Sequence, residues 1–191
     1  MTRNYASLQR RPFLAPIWLS VLGALVGMCF LTFAAWAAWV WVTADSTTII
    51  VVRHAEKELN AGADPPLTPA GEARAELLAS MFGDRSPGAI GAIYVSPVLR
   101  SRMTAAPLAA RLGLTPVVGP EHDAPNLARR VLDEHAGGRV LVVGHSDTVT
   151  DLVESLTGTK HLPRIGDDEY GTMYIVVVPR VGRSNFLRLT Y

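Results

Sequence analysis

Thiol chemistry is nearly missing from this chain: of 191 residues only Cys29 is a cysteine. No intrachain disulfide can form, and no pair of thiols can hold a metal or run a redox cycle. Charge is missing from one long stretch. Between Pro12 and Ala44 there is no Asp, Glu, Lys or Arg in 33 consecutive positions, where about 20 apolar residues suffice to cross a bilayer. Tryptophan is missing everywhere else. Trp18, Trp36, Trp39 and Trp41 all lie in that stretch, three of them near its far end, where an interfacial aromatic belt is expected. Beyond it there is no excess of basic charge: after Ala44, 15 basic side chains face 17 acidic ones, which argues against nucleic acid as a partner. Since Cys29 lies within the apolar stretch, the remainder has no thiol and tolerates an oxidising compartment.

These boundaries divide the chain into a short basic tail (1–12), a transmembrane helix acting as a signal anchor (13–43) and a folded domain (45–191). Arg3, Arg10 and Arg11 precede the apolar stretch and Asp45 follows it. That asymmetry predicts a cytoplasmic amino terminus and a domain on the periplasmic or outer face. A cleaved secretory signal is the alternative, because Ala35-Trp36-Ala37 and Val42-Thr43-Ala44 offer small residues to a signal peptidase. The apolar core, however, is longer than the roughly 7 to 15 residues of such signals.

In the folded domain, Ile49 to Val52 is a β-branched run that reads as a buried parallel strand, and it ends at Arg53-His54. Arg139 to Gly144 repeats the design and ends at His145. Side by side, two such strands would bring both histidines over one pocket at the carboxyl end of the sheet, where ligands bind in α/β folds. Arg53 and Arg100 would make that pocket cationic and suited to a phosphoryl group.

Between these strands, Thr68 and Pro69 read as the cap and first turn of a helix with an apolar face of Ala73, Leu77, Leu78 and Met81, ending at Gly83. Residues 92–95 form a second strand. Ser96-Pro97 repeats the cap-plus-proline start for a helix to about Arg111, and 115–118 form a third strand. A helix over 126–135 and another over 146–158 follow, the latter with Val149, Leu152, Val153 and Leu156 on one face. Residues 160–170 are a polar loop, and 173–178 with 185–191 a terminal hairpin. This alternation predicts a three-layer α/β/α sandwich with a mainly parallel sheet.

Arg53-His54-Ala55-Glu56, Ser96-Pro97-Val98-Leu99-Arg100 with Thr104-Ala105, and Gly144-His145-Ser146 resemble the three signature segments of the histidine phosphatase superfamily, the phosphoglycerate mutase-like proteins, in order and approximate spacing. Leu67-Thr68-Pro69-Ala70-Gly71 is similar to the start of the family's first helix, and the resemblance extends over about residues 47 to 178. It implies that His54 accepts the phosphoryl group as a phosphohistidine that water later hydrolyses, with Arg53, Arg100 and His145 holding the equatorial oxygens. Many family members carry an acidic proton donor in the loop after the third strand. Here Asp123 is the first candidate and Glu121 the second, and each would serve equally well as a solvated loop carboxylate.

Glu56 and Lys57 are candidates to touch the substrate beyond its phosphate, although a salt-bridged rim accounts for them more simply. The chemistry requires no cofactor. A metal site of His54, His122 and His145 is conceivable, but the arginines would repel a cation. The expected activity is hydrolysis of a phosphomonoester or phosphoramidate, on a phosphorylated small molecule, a lipid or glycan head group, or a phosphoprotein. A phosphate-binding pseudophosphatase and a mutase-like phosphotransferase are the alternatives.

Overall fold

The computed structural model describes residues 17–43, 46–120 and 122–191. The basic tail, the first residues of the expected span (13–16), Asp45 and Glu121 lie outside the described residues. The chain forms two compact units, one ending at Thr43 and the other beginning at Ala44.

The first unit contains α1 (Ile17–Thr43), a helix of 27 residues, about 40 Å long at 1.5 Å per residue. Trp18, Phe30, Leu31 and Trp39 are all exposed on it. Trp18–Trp39 has the length and composition of a membrane span, a character that a signal sequence shares.

The second unit is built on a six-stranded sheet. Its strands are β1 (Thr47–Arg53), β2 (Ala92–Val95), β3 (Val117–Val118), β4 (Arg139–Gly144), β5 (Thr172–Val178) and β6 (Asn185–Thr190). They lie in the order β3-β2-β4-β1-β5-β6. The pairs β1–β4, β2–β4 and β2–β3 are parallel, and the β1–β5 and β5–β6 pairs are antiparallel. The expected parallel sheet with a terminal hairpin is thus present, with β5 inside the sheet and only β6 at the edge.

Helices cover both faces. Along β1, Ile50 and Val52 point to one side, where Leu78 and Ala79 of α2 (Pro69–Phe82) and Ala105, Leu108 and Ala109 of α3 (Leu99–Leu112) meet them. Ile49 and Val51 point to the other, against Leu127, Ala128 and Val131 of α4 (Ala124–Glu134) and Val149, Leu152, Val153 and Leu156 of α5 (Ser146–Thr157). Burial on both faces is why the central strands are continuous β-branched runs rather than alternating ones.

Four local expectations need correction. α2 buries Gly71, Ala75, Leu78 and Ala79, while Leu77 and Met81 are 45% and 46% exposed. The helix docks through its small residues because its first turn comes against the backbone of Glu56. α3 starts at Leu99 rather than Ser96. The Leu99 N–H donates to the Asp64 carboxylate (2.9 and 3.0 Å), so a distant loop supplies the cap. α4 starts at Ala124 rather than residue 126, because Pro125 fits the first helical turn and Asp123 caps it by accepting from the Asn126 N–H (3.1 Å). The third strand is shorter than expected and forms only at Val117–Val118.

Candidate active site

The parallel register pairs Arg53 with Gly144, and the His54 N–H donates to the Gly144 carbonyl (2.9 Å) just past the end of the ladder. Both strands therefore exit at the same level. The imidazoles of His54 and His145 stand edge to face, with ring centroids 5.3 Å apart. Both side chains are buried, as is Arg53.

Nδ1 of His54 lies 2.8 Å from the Ala55 carbonyl. A carbonyl only accepts, so the proton is on Nδ1 and the lone pair on Nε2. The Ala55 N–H donates to Thr104 Oγ1 (3.0 Å), and the Thr104 hydroxyl donates to the Arg100 carbonyl (2.8 Å). This ties the first turn of α3 to the strand exit. His145 opens α5: its N–H donates to Thr148 Oγ1 (2.8 Å), and its Nε2 lies 2.9 Å from Ser96 Oγ. Ser96 in turn donates to Ser101 Oγ (2.7 Å).

Arg53 differs from a simple oxygen clamp. Its Nη1 donates to the carbonyls of Gly166 (2.6 Å) and Glu169 (3.2 Å), its Nη2 to that of Asp167 (2.9 Å), and its guanidinium lies 4.3 Å over the Tyr170 ring. Among the described residues, its buried Nε has no partner, nor has the buried Nε of Arg100. Two buried donors on arginines whose charges reach His54 are suited to hold an anion. Arg100 Nη1 is also 3.7 Å from Asp64 Oδ1.

Burial above all pushes the His54 pKa down from 6.5 to about 3, with the positive charges of His145, Arg100 and Arg53 adding to it and the Ala55 hydrogen bond opposing. The ring is therefore neutral at ordinary pH. Because the folded pKa lies below the unfolded value, the unfolded chain holds the extra proton between these limits. The contribution of His54 to stability is thus fully present above pH 6.5 and is lost as pH falls toward 3. At pH 5 the loss amounts to about 2 kcal/mol. Urea denaturation of the chain and of His54→Gln, each at pH 7.5 and pH 5, should show the wild type losing that much more; equal losses would contradict the buried neutral ring.

Other expected site residues lie differently. Glu56 is held by Arg74 in a bidentate pair (Nη2–Oε1 2.6 Å, Nε–Oε2 2.9 Å), which keeps its carboxylate below the usual range. Lys57 bridges the backbone of Leu67. Asp123 is exposed and occupied as the α4 cap. His122 is 4.0 Å from Asp147 Oδ2, and among the described residues no three His, Cys, Asp or Glu side chains form a metal-binding group.

Two neighbours had no signal in the motif pattern, Asp64 and Tyr170, and Ser96, the first residue of the second segment, reads there only as a helix cap. The Tyr170 ring lies 6.0 Å from that of His54. Its only cue was an aromatic residue in an otherwise polar stretch.

Residues 49–122 match the family model of the histidine phosphatase superfamily (branch 1). The chain has no match among curated proteins. Among solved structures it is similar to the protein histidine phosphatase SixA complexed with tungstate, at 24% identity over 75% of this chain and 96% of that one, with a TM-score of 0.60. It is also similar to the mycobacterial glucosyl-3-phosphoglycerate phosphatase, at 17% identity over 74% and 97% of the two chains, with a TM-score of 0.57. At these identities the likeness is one of fold.

Proposed function

We propose that this chain is a member of the histidine phosphatase superfamily, a reading supported by the branch 1 match over residues 49–122 and by its fold, and that it hydrolyses phosphoryl substrates through a phosphohistidine on His54. The observation that carries this reading is a neutral imidazole with its Nε2 lone pair uncommitted to Ala55, beside a second histidine and two arginines with buried, unpartnered Nε donors.

The Nε2 lone pair attacks phosphorus in line, and the bond to the leaving oxygen or nitrogen breaks with its electron pair going to the leaving group. His145, Arg100 and the Nε of Arg53 neutralise the equatorial oxygens. The phosphorylated ring carries a positive charge, which the Ala55 carbonyl stabilises through Nδ1–H. Water then attacks phosphorus, the N–P bond electrons return to Nε2, and inorganic phosphate leaves with the proton of the water shared between phosphate and solvent.

Asp123 and Glu121 are the candidates to protonate a poor leaving group, and Asp123 would first have to release the α4 cap. The side-chain charges that press most on His54 are those of His145, Arg100 and Arg53, a surrounding that favours phosphoramidates and acyl phosphates, whose leaving groups need least help. Phosphohistidine on a protein, as in the name of SixA, and a phosphorylated small molecule, as in that of the mycobacterial phosphatase, are both compatible substrate classes. A lipid or glycan head group is a further one if α1 anchors the domain outside the cytoplasm, the topology favoured by Arg3, Arg10 and Arg11. Engagement of both Arg53 Nη atoms by loop carbonyls favours a second reading, phosphate binding without turnover.

Mixing the full chain with a chromogenic phosphomonoester and with phosphoramidate tests the reading. Turnover that persists with chelator, together with an acid-labile, alkali-stable phosphoenzyme, is expected. Binding of phosphate without release or labelling would select the second reading.

A further inference from the structure

We propose that Tyr170 sets the leaving-group preference of this site, its ring forming a platform beside the nucleophile that favours phosphoryl donors with a planar aromatic leaving group, such as an aryl ester or a phosphorylated imidazole. This rests on the phosphatase reading above and goes beyond it, because neither the three motif segments nor the charge neutralisation uses Tyr170.

Three observations converge on this ring. It is half-buried, 6.0 Å from the His54 ring and stacked on the Arg53 guanidinium at 4.3 Å. Reacting atoms stand about 3–3.5 Å apart in an attack geometry. A planar leaving group held on the Tyr170 side of the phosphoryl unit would come within the centroid distances at which aromatic rings attract.

The ring is also held in place from both sides. Before it, Arg53 grips the carbonyls of Gly166, Asp167 and Glu169, and the Glu169 carboxylate is taken by Thr172 and Arg188. After it, Gly171 sits where an added Cβ would meet the Tyr191 carbonyl at 2.6 Å and Arg74 Nη1 at 3.0 Å, so only glycine lets the chain turn into β5 there. Because β5 pairs with β1 through Met173 and Val52, the platform and the nucleophile share one rigid frame. An aromatic group fixed before the substrate arrives binds with little ordering cost.

Finally, the side-chain charges that press most on His54 are the cationic ones of His145, Arg100 and Arg53, which suits leaving groups that depart without a proton from the protein. An aryl ester leaves as phenolate. A phosphorylated imidazole already protonated on its distal nitrogen leaves as the neutral ring. In each case the bond to phosphorus breaks with its electron pair going to the leaving group as the His54 Nε2–P bond forms.

The test uses the full chain in detergent, with naphthyl phosphate, phosphoimidazole and acetyl phosphate as substrates. Acetyl phosphate has a good leaving group without a ring. Tyr170→Leu should lower kcat/KM for the two aromatic substrates about tenfold, mainly through KM, and alter acetyl phosphate less than about twofold. Tyr170→Phe, which keeps the ring, should behave as wild type on all three. A uniform loss in Tyr170→Leu would make the ring a mere support for Arg53 and overturn the proposal, as would no change at all. Failure of the wild-type chain to turn over any of the three would instead remove the phosphatase reading itself.

Discussion

His54→Ala should lower kcat/KM by about ten-thousandfold or more while the chain stays folded, because removing a covalent nucleophile forfeits the whole two-step route. The neighbours cannot replace it. Nε2 of His145 is engaged with Ser96, and the arginines have no lone pair to offer. The fold should survive because, among the described residues, the hydrogen bond of the His54 ring is to its neighbour's carbonyl. Its loss releases Ala55 O rather than a long-range tie. The link between the strand exit and α3 runs through the Ala55 N–H and Thr104 and is untouched. Steady-state rates, phosphoenzyme trapping and circular dichroism on one preparation decide it: rates within tenfold of wild type in a folded protein would exclude His54 as nucleophile. Because the two histidines act as a unit, adding His145→Ala should cost far less than it does alone.

Gly71→Ala should destabilise the second unit by about 3 kcal/mol, large for a single methyl group. A Cβ at this position would lie 2.3 Å from the Glu56 carbonyl oxygen and 3.0 Å from its nitrogen. Neither is the end of a flexible side chain, so the helix must move as a body. Moving it strains the Thr68 N–H bond to Glu56 O (2.9 Å) and the Arg74 pair with the Glu56 carboxylate. Glu56 is two residues from the nucleophile, so activity should fall together with stability. Gly91→Ala is the control: its nearest neighbour would be the Arg139 carbonyl at 3.9 Å, an ordinary contact. Urea unfolding of both variants measures the difference, and a Gly71→Ala protein as stable as Gly91→Ala would show that α2 is not docked this closely.

Much of the site was readable from the order of residues because it depends on local patterns. The two β-branched runs ending in His54 and His145 announce buried parallel strands, and their convergence follows once β1 and β4 pair. The apolar face of α5 is likewise the one expected, since its large side chains recur at helical spacing. What escaped depends on contacts that carry no side-chain signature. The grip on Arg53 comes from backbone carbonyls of a polar loop, a function that any residue type could fill. The buried face of α2 is written in Gly71 and alanines, which apolar periodicity undervalues beside Leu77 and Met81. Ser96-Pro97 reads as a helix start, yet the cap on the Leu99 N–H comes from Asp64, 35 residues before Leu99.

Both histidines hang from strands with a partner on each side, β1 between β4 and β5, and β4 between β2 and β1. Backbone amides in such positions exchange with solvent only when the whole domain opens, unlike those of an outermost strand. The two imidazoles are therefore carried by the last part of the molecule to come apart, and their spacing should persist for as long as the domain stays folded.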